Sequence, residues 1–160
     1  MDMAAIDWRP AAVFVQAGPS LRGSNVLGVG ARWPQDWQAL DGRLGLALEL
    51  SANAWSARRE AGGRHGFLQL TAVPVFRWRA DAAGSPWFLE AGIGVSYHPR
   101  NYVVKSSRQE TRWNFNDVLG IGRSFGPHEA ALRLSHFSNA GLSKPNPGDT
   151  SVSLRWSWRY

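Results

Sequence analysis

In the stretch SHFSNAG, residues 135 to 141, His136 and Ser138 stand two positions apart with Asn139 and Gly141 close behind. Along an extended strand, residues so spaced share one face with Cα atoms roughly 7 Å apart, a gap that an imidazole leaning toward a hydroxyl closes. A serine whose proton a neighbouring histidine can take is an activated nucleophile. Asn139 offers an amide donor, and Gly141 lets backbone approach a substrate closely. Together they could form an oxyanion hole for an attacked carbonyl. The chemistry indicated is acyl transfer. The competing reading of an isolated H-x-S is a pair of interfacial polar residues at a strand end, because so short a motif recurs by chance.

What must position these residues is a set of strands. The dominant period is two: in RLGLALEL, Leu44, Leu46, Leu48 and Leu50 share one face, and Gly45, Ala47 and Glu49 the other. The same division runs through NVLGVGARW (25 to 33), FLQLTAVPVFRW (67 to 78) and WFLEAGIGVSYH (87 to 98). Weaker alternation at 11 to 18, 114 to 125, 129 to 138 and 150 to 160 brings the expected number of strands to eight. No segment sustains a helical period. In EAALRLSHFS, parity puts Ala130, Leu132, Leu134, His136 and Ser138 together on the greasy face.

Which face is inside decides the fold class. In a soluble sandwich or a lipocalin-like carrier the leucines would point inward. Here the opposite face carries Gly, Ala and Ser with single Glu or Arg residues, the content of a narrow barrel interior with paired charges. Glu49, Glu90, Arg133 and Arg155 fall on it and are expected to pair with one another. The greasy face often ends in an aromatic residue (Trp33, Trp78, Trp87, Tyr97, Trp156, Trp158, Tyr160), as two lipid interfaces require. The last strand alternates Val152, Leu154, Trp156, Trp158 and Tyr160 up to a terminal aromatic, and so resembles the C-terminal signature of bacterial outer-membrane barrels. The expected fold is all-β, an eight-stranded antiparallel transmembrane β-barrel forming a single domain over residues 1–160.

The connections 79 to 86 and 126 to 128 are short, whereas 52 to 65, 99 to 113 and 139 to 149 are expected as longer loops that carry Arg58, Arg59, Arg64, Arg100, Lys105, Arg108 and Lys144. Such basic loops would face anionic headgroups. The balance of 18 Lys and Arg against 12 Asp and Glu, a net charge of +6, also suits anionic partners. Nucleic acid is excluded as a partner, since the aromatics pattern with apolar faces and not with a basic stripe. With no cysteine there is neither a disulfide framework nor a thiolate metal site, and His65, His98 and His128 lack ligand spacing, so neither metal nor other cofactor is expected. No apolar run approaches the roughly 20 residues of a spanning helix. The opening MDMAAIDWRP lacks the basic and apolar segments of a secretion signal, as expected of a cytosolic chain or of a mature form with an added methionine, and the strand pattern favours a mature bacterial outer-membrane form.

The string HFSNAGLSKPNPG, residues 136 to 148, resembles the H-x-S-N-A-G…P-N-x-G segment of the PagL family of outer-membrane lipid A 3-O-deacylases. NFNDVLGIG, PWFLEAGIGV and AVPVFRW resemble preceding strands of that family. The resemblance implies a barrel whose catalytic groups lie on its lipid-facing wall and which hydrolyses the ester-linked acyl chain at position 3 of lipid A in the outer leaflet, as a serine esterase without a metal. It implies Ser138 as nucleophile, His136 as base, and Asn139 and Gly141 as oxyanion donors. The family's acid, two positions after the P-N-x-G glycine, is here Thr150; the nearby acid is Asp149, which in a regular strand would point inward and needs a turn or bulge to reach His136. Asp149 is accordingly the expected third catalytic residue. The expected partners are lipid A or lipopolysaccharide and outer-membrane lipid, with a second copy of the chain as a further candidate. The alternative function is a non-catalytic barrel, an adhesin or structural protein.

Overall fold

The computed structural model describes residues 9–82 and 84–160. The opening residues, read above for the absence of a secretion signal, lie outside the described residues. Among the described residues ten strands follow in order: β1 (Ala12–Pro19), β2 (Asn25–Ala39), β3 (Leu44–Arg58), β4 (Arg64–Trp78), β5 (Trp87–Tyr97), β6 (Val103–Val104), β7 (Ser107–Arg108), β8 (Trp113–Phe125), β9 (His128–Ser138) and β10 (Asp149–Arg159). Eight of them close an antiparallel barrel in the order β1-β10-β9-β8-β5-β4-β3-β2, and the two-residue strands β6 and β7 form a small hairpin in the β5–β8 connection.

The alternation resolves with the leucines outside. Leu154 is 72% exposed and Ile93 68%, whereas Glu49, Glu90, Arg133 and Arg155 are buried. A water-soluble carrier would invert this, so the wall faces hydrocarbon and the lipocalin-like reading falls. The lumen is filled. Arg133 and Arg155 each reach Glu49, at 2.8 Å and 2.9 Å, and Arg77 bridges Glu90 at 2.8 Å and Glu129 at 2.7 Å. The guanidinium groups of Arg155 and Arg77 also lie over the Phe14 and Phe88 rings, 3.6 Å and 3.8 Å from the centroids. Each carboxylate is thus shared among several cations, as charges withdrawn from water require. A void of only about 20 Å³ remains among Gln16, Glu49, Asn53, Arg133 and Arg155, too little for a carried ligand.

Two expectations about connections change. The loop expected over 52 to 65 is mostly strand: the ladder runs on to the Arg58↔Arg64 pair, leaving 59–63 as the turn. Inward Trp55 and Ala57 continue the alternation there, and their burial holds both strands beyond the level at which the leucines end. β2 likewise continues past Trp33 to Ala39, with a register shift between Pro34 and Gln38. Trp87, Trp158 and Tyr160 ring the end at which the chain closes, and Tyr97 and Trp113, 4.8 Å apart, lie at the opposite end beneath the two longest connections, 98–112 and 139–148.

Candidate active site

Ser138 is the last residue of β9, and His136 precedes it on the same outward face. Phe137, between them, is held inward at 1% exposure. Its ring lies 4.7 Å from that of His98, 5.1 Å from Tyr102 and 5.4 Å from Trp55. This cluster, completed by Val26, Ala57 and Val104, plugs the barrel mouth under the site. Burying a ring of that size contributes roughly 1.5–3 kcal/mol, and a one-residue slip of β9 would forfeit it by turning Phe137 to the outside. The parity that aims His136 and Ser138 at the membrane is therefore fixed by the residue that neither role uses.

His136 has a cross-strand neighbour on each side, Thr150 of β10 and Asp117 of β8. Its Nδ1 is hydrogen-bonded to Thr150 Oγ1 at 2.8 Å. With Nδ1 so engaged, Nε2 is the nitrogen left to exchange a proton. Gly148 closes the site from the loop. A Cβ built there would stand 3.2 Å from His136 Cε1, 3.2 Å from Ser138 Cβ and 2.6 Å from the Phe137 carbonyl oxygen, and its φ of 54° is in the left-handed region. Only glycine leaves the space between imidazole and serine.

The loop 139–148 is held by amides. Asn139 N–H donates to Asn146 Oδ1 at 3.0 Å, Asn139 Nδ2 to the Ser143 carbonyl at 2.9 Å, and Gly141 N–H to Asn139 Oδ1 at 3.0 Å. Gln109, from the β5–β8 connection, donates to Asn146 Oδ1 and Asn114 Oδ1, both at 2.8 Å, and accepts from Gly148 N–H at 3.1 Å. The two donors expected to stabilise an oxyanion, the Asn139 amide and the Gly141 N–H, thus both hold the loop in the resting state. Asn139 is buried.

Asp149 is not brought to His136. It pairs with Phe137 in register, faces the interior at 2% exposure, and its Oδ2 accepts from Ser20 Oγ at 2.8 Å and from Tyr102 OH at 2.7 Å. Its Oδ1 accepts from Thr150 N–H at 2.7 Å. The turn or bulge that would have redirected it does not form, because β10 is already paired at residue 149 and strand parity sends the carboxylate inward. There Asp149 ties Tyr102, which also bonds Ser24, to the start of β10. Burial, reinforced by the Asp149 charge, pushes the Tyr102 hydroxyl well above the usual phenol range. Burial also lowers His98 from its ordinary value to about 4, so that this ring is neutral beneath the site.

Beside Ser138, Val95, Trp113, Phe115 and Leu142 line an apolar depression of about 200 Å³ on the outer wall. Phe115 is the register partner of Ser138. The roles of Gly148 and Asn146 could have been drawn from the P-N-x-G string; that of Gln109 could not, since 37 residues separate it from Asn146. Asp117 left one overlooked signal, an acid at a greasy-face position between Phe115 and Leu119. Among the described residues, no three His, Cys, Asp or Glu side chains gather to hold a metal ion.

A profile of the family described as lipid A 3-O-deacylase (PagL) matches residues 25–159. The lipid A deacylase PagL of Bordetella bronchiseptica is 35% identical over 130 residues, which span 80% of this chain and 70% of that protein. Its namesake from Pseudomonas aeruginosa is 33% identical over 130 residues, 79% of this chain and 73% of that one. The crystal structure of the outer membrane enzyme PagL superposes with a TM-score of 0.79 at 29% identity, over 94% of this chain and 100% of the other. The Yersinia pestis outer membrane protein Ail shares the fold alone, with a TM-score of 0.52 at 8% identity over 92% of this chain and 99% of that one.

Proposed function

This chain belongs to the PagL family of lipid A 3-O-deacylases of the outer membrane, and we propose that Ser138 and His136 carry its hydrolysis of the 3-linked acyl ester. The observation that carries the reading is a half-buried histidine and serine on one outward face of a largely apolar wall, next to an apolar depression. Polar groups facing lipid are costly unless they have a task.

Lipid A in the outer leaflet brings its ester along the wall, with the acyl chain against Val95, Trp113, Phe115 and Leu142. Ser138 Oγ attacks the carbonyl carbon while His136 Nε2 takes its proton; the tetrahedral intermediate collapses, and His136 returns the proton to the departing sugar hydroxyl. Water, deprotonated by His136, then attacks the acyl-serine. The fatty acid leaves and Ser138 regains its proton. Thr150 Oγ1 fixes the ring orientation throughout. Asn139 and the Gly141 N–H serve the oxyanion after exchanging their resting partners within the loop.

The test is to refold the protein in detergent, incubate it with purified lipid A, and read by mass spectrometry the loss of one hydroxyacyl group. Ser138→Ala and His136→Asn are expected to abolish the loss while retaining the heat-modifiable gel mobility of a folded barrel. Unchanged lipid A with the wild type, or full turnover by Ser138→Ala, would overturn the reading.

A further inference from the structure

The site as built holds a base and a nucleophile but no acid in contact with either. Thr150 orients the imidazole and carries no charge, and Asp149 is committed to Ser20 and Tyr102 inside the barrel. A histidine that becomes an imidazolium in each half-reaction beside a hydrocarbon wall needs a compensating negative charge, and a hydroxyl supplies only orientation.

We infer that Asp117 supplies that charge: it is a positioning residue of the reaction, acting on His136 from β8 while Thr150 acts from β10. This rests on the assignment of His136 as base. Asp117 is the register partner of His136 on β8, on the same outward face. Directly opposed pairs in antiparallel strands hold their Cβ atoms about 4.5–5.5 Å apart, near enough for a carboxylate to act on an imidazolium through a low-dielectric surround.

The second observation is where the acid stands. Its neighbours along β8 are Phe115 and Leu119, 44% and 57% exposed to the membrane side, and its partner across β5 is Ile93. His136 is the one polar group that the register sets against it. Among the described residues its side chain has no hydrogen bond and no counter-ion. A carboxylate in an apolar band costs the barrel insertion energy, and nothing in the fold repays it. An inward charge such as Glu49 is neutralised by arginines; Asp117 is not, so its negative charge is available to a cation that forms only during turnover.

The division of labour differs from the triad in which one carboxylate both orients and neutralises. Here orientation comes from a neutral hydroxyl on Nδ1, and the charge comes from the opposite strand. The consequence is separable: removing the charge slows the chemical step while the ring stays in place and substrate still binds.

The test compares Asp117→Asn, Asp117→Leu, Asp117→Glu and the double variant Asp117→Asn with Thr150→Glu, all refolded in detergent with lipid A, with Ser138→Ala alongside. Asp117→Asn is expected to lower kcat roughly ten- to a hundred-fold at unchanged KM, the range for losing one charge near an imidazolium. Asp117→Glu retains part of the rate. Thr150→Glu, which puts a carboxylate on the other side of the ring, restores most of what Asp117→Asn loses. Asp117→Leu is expected to be as slow as Asp117→Asn yet to unfold at an equal or higher urea concentration, a combination that a merely structural aspartate would reverse. An inactive Ser138→Ala together with a wild-type kcat in Asp117→Asn would overturn this inference alone; an active Ser138→Ala would overturn the nucleophile assignment on which it stands.

Discussion

Gly148→Ala is the substitution whose effect the geometry specifies most closely. The added methyl would lie 2.6 Å from the Phe137 carbonyl oxygen, so that oxygen or the loop must yield by at least about 0.4 Å to reach the roughly 3.0 Å below which Cβ contacts are not found. The same methyl stands 3.2 Å from His136 Cε1 and from Ser138 Cβ, and Phe137 joins those two residues, so the displacement reaches both reacting groups. A 1 Å misplacement can cost about a hundred-fold in rate; a shift of a few tenths predicts a kcat lowered about ten-fold, or about 1.4 kcal/mol of barrier. The left-handed backbone adds about 1–2 kcal/mol of destabilisation for any residue with a Cβ. Gly126→Ala separates the two effects, because Gly126 has a φ of 58° with open space around it and sits in the β9-leading turn at the far end of the barrel. Both variants should lose stability in urea titrations of the detergent-refolded protein, Gly148→Ala the more because the steric overlap adds to the shared backbone cost; only Gly148→Ala should lose turnover in the mass-spectrometric deacylation assay. Equal turnover in the two variants would show that the His136–Ser138 spacing tolerates the intrusion and would refute the reasoning.

Thr150→Val keeps the shape of the side chain and removes the acceptor from His136 Nδ1. It should lower kcat about ten-fold, the worth of one hydrogen bond of about 1–1.5 kcal/mol, and a wild-type rate would show that the ring is oriented by something else. Asp149→Asn removes the charge that accepts from Tyr102 and Ser20. It is expected to cost about 1–3 kcal/mol in urea unfolding with kcat changed less than about ten-fold. A fully folded variant as slow as His136→Asn would reinstate Asp149 as the acid. For His98, burial depresses the pKa of the folded state from 6.5 to about 4. Its neutral form therefore contributes stability that is fully present above pH 6.5 and lost as pH falls through 4, about 3 kcal/mol in all and about 2 kcal/mol by pH 5. Unfolding midpoints measured across that window should fall in the wild type and flatten in His98→Gln; an identical slope in both would assign the acid sensitivity elsewhere.

The sequence by itself determined the barrel and its polarity. A period of two repeated eight times, with leucine on one face and Gly, Ala, Glu and Arg on the other, has one stable solution when the charges must be paired and the leucines solvated by lipid. The inward pairing of Glu49 and Glu90 with Arg133 and Arg155 followed from parity alone, as did the outward aim of His136 and Ser138. Strand ends were less legible, because the ladder at 52–58 and 64–65 is held by Trp55 and Ala57 packing across the mouth, a contact that no local window contains. The partners of the site were decided by tertiary structure. Parity already sent Asp149 inward, but what it bonds there, Ser20 and Tyr102, comes from positions 129 and 47 residues distant. Asp117 is the one acid on the apolar face of its strand, and its meaning appears only when β8 is set against β9 in the register that pairs it with His136. A strand's own residues fix which way each side chain points; what it meets there depends on how neighbouring strands are staggered, and that is a property of the closed barrel.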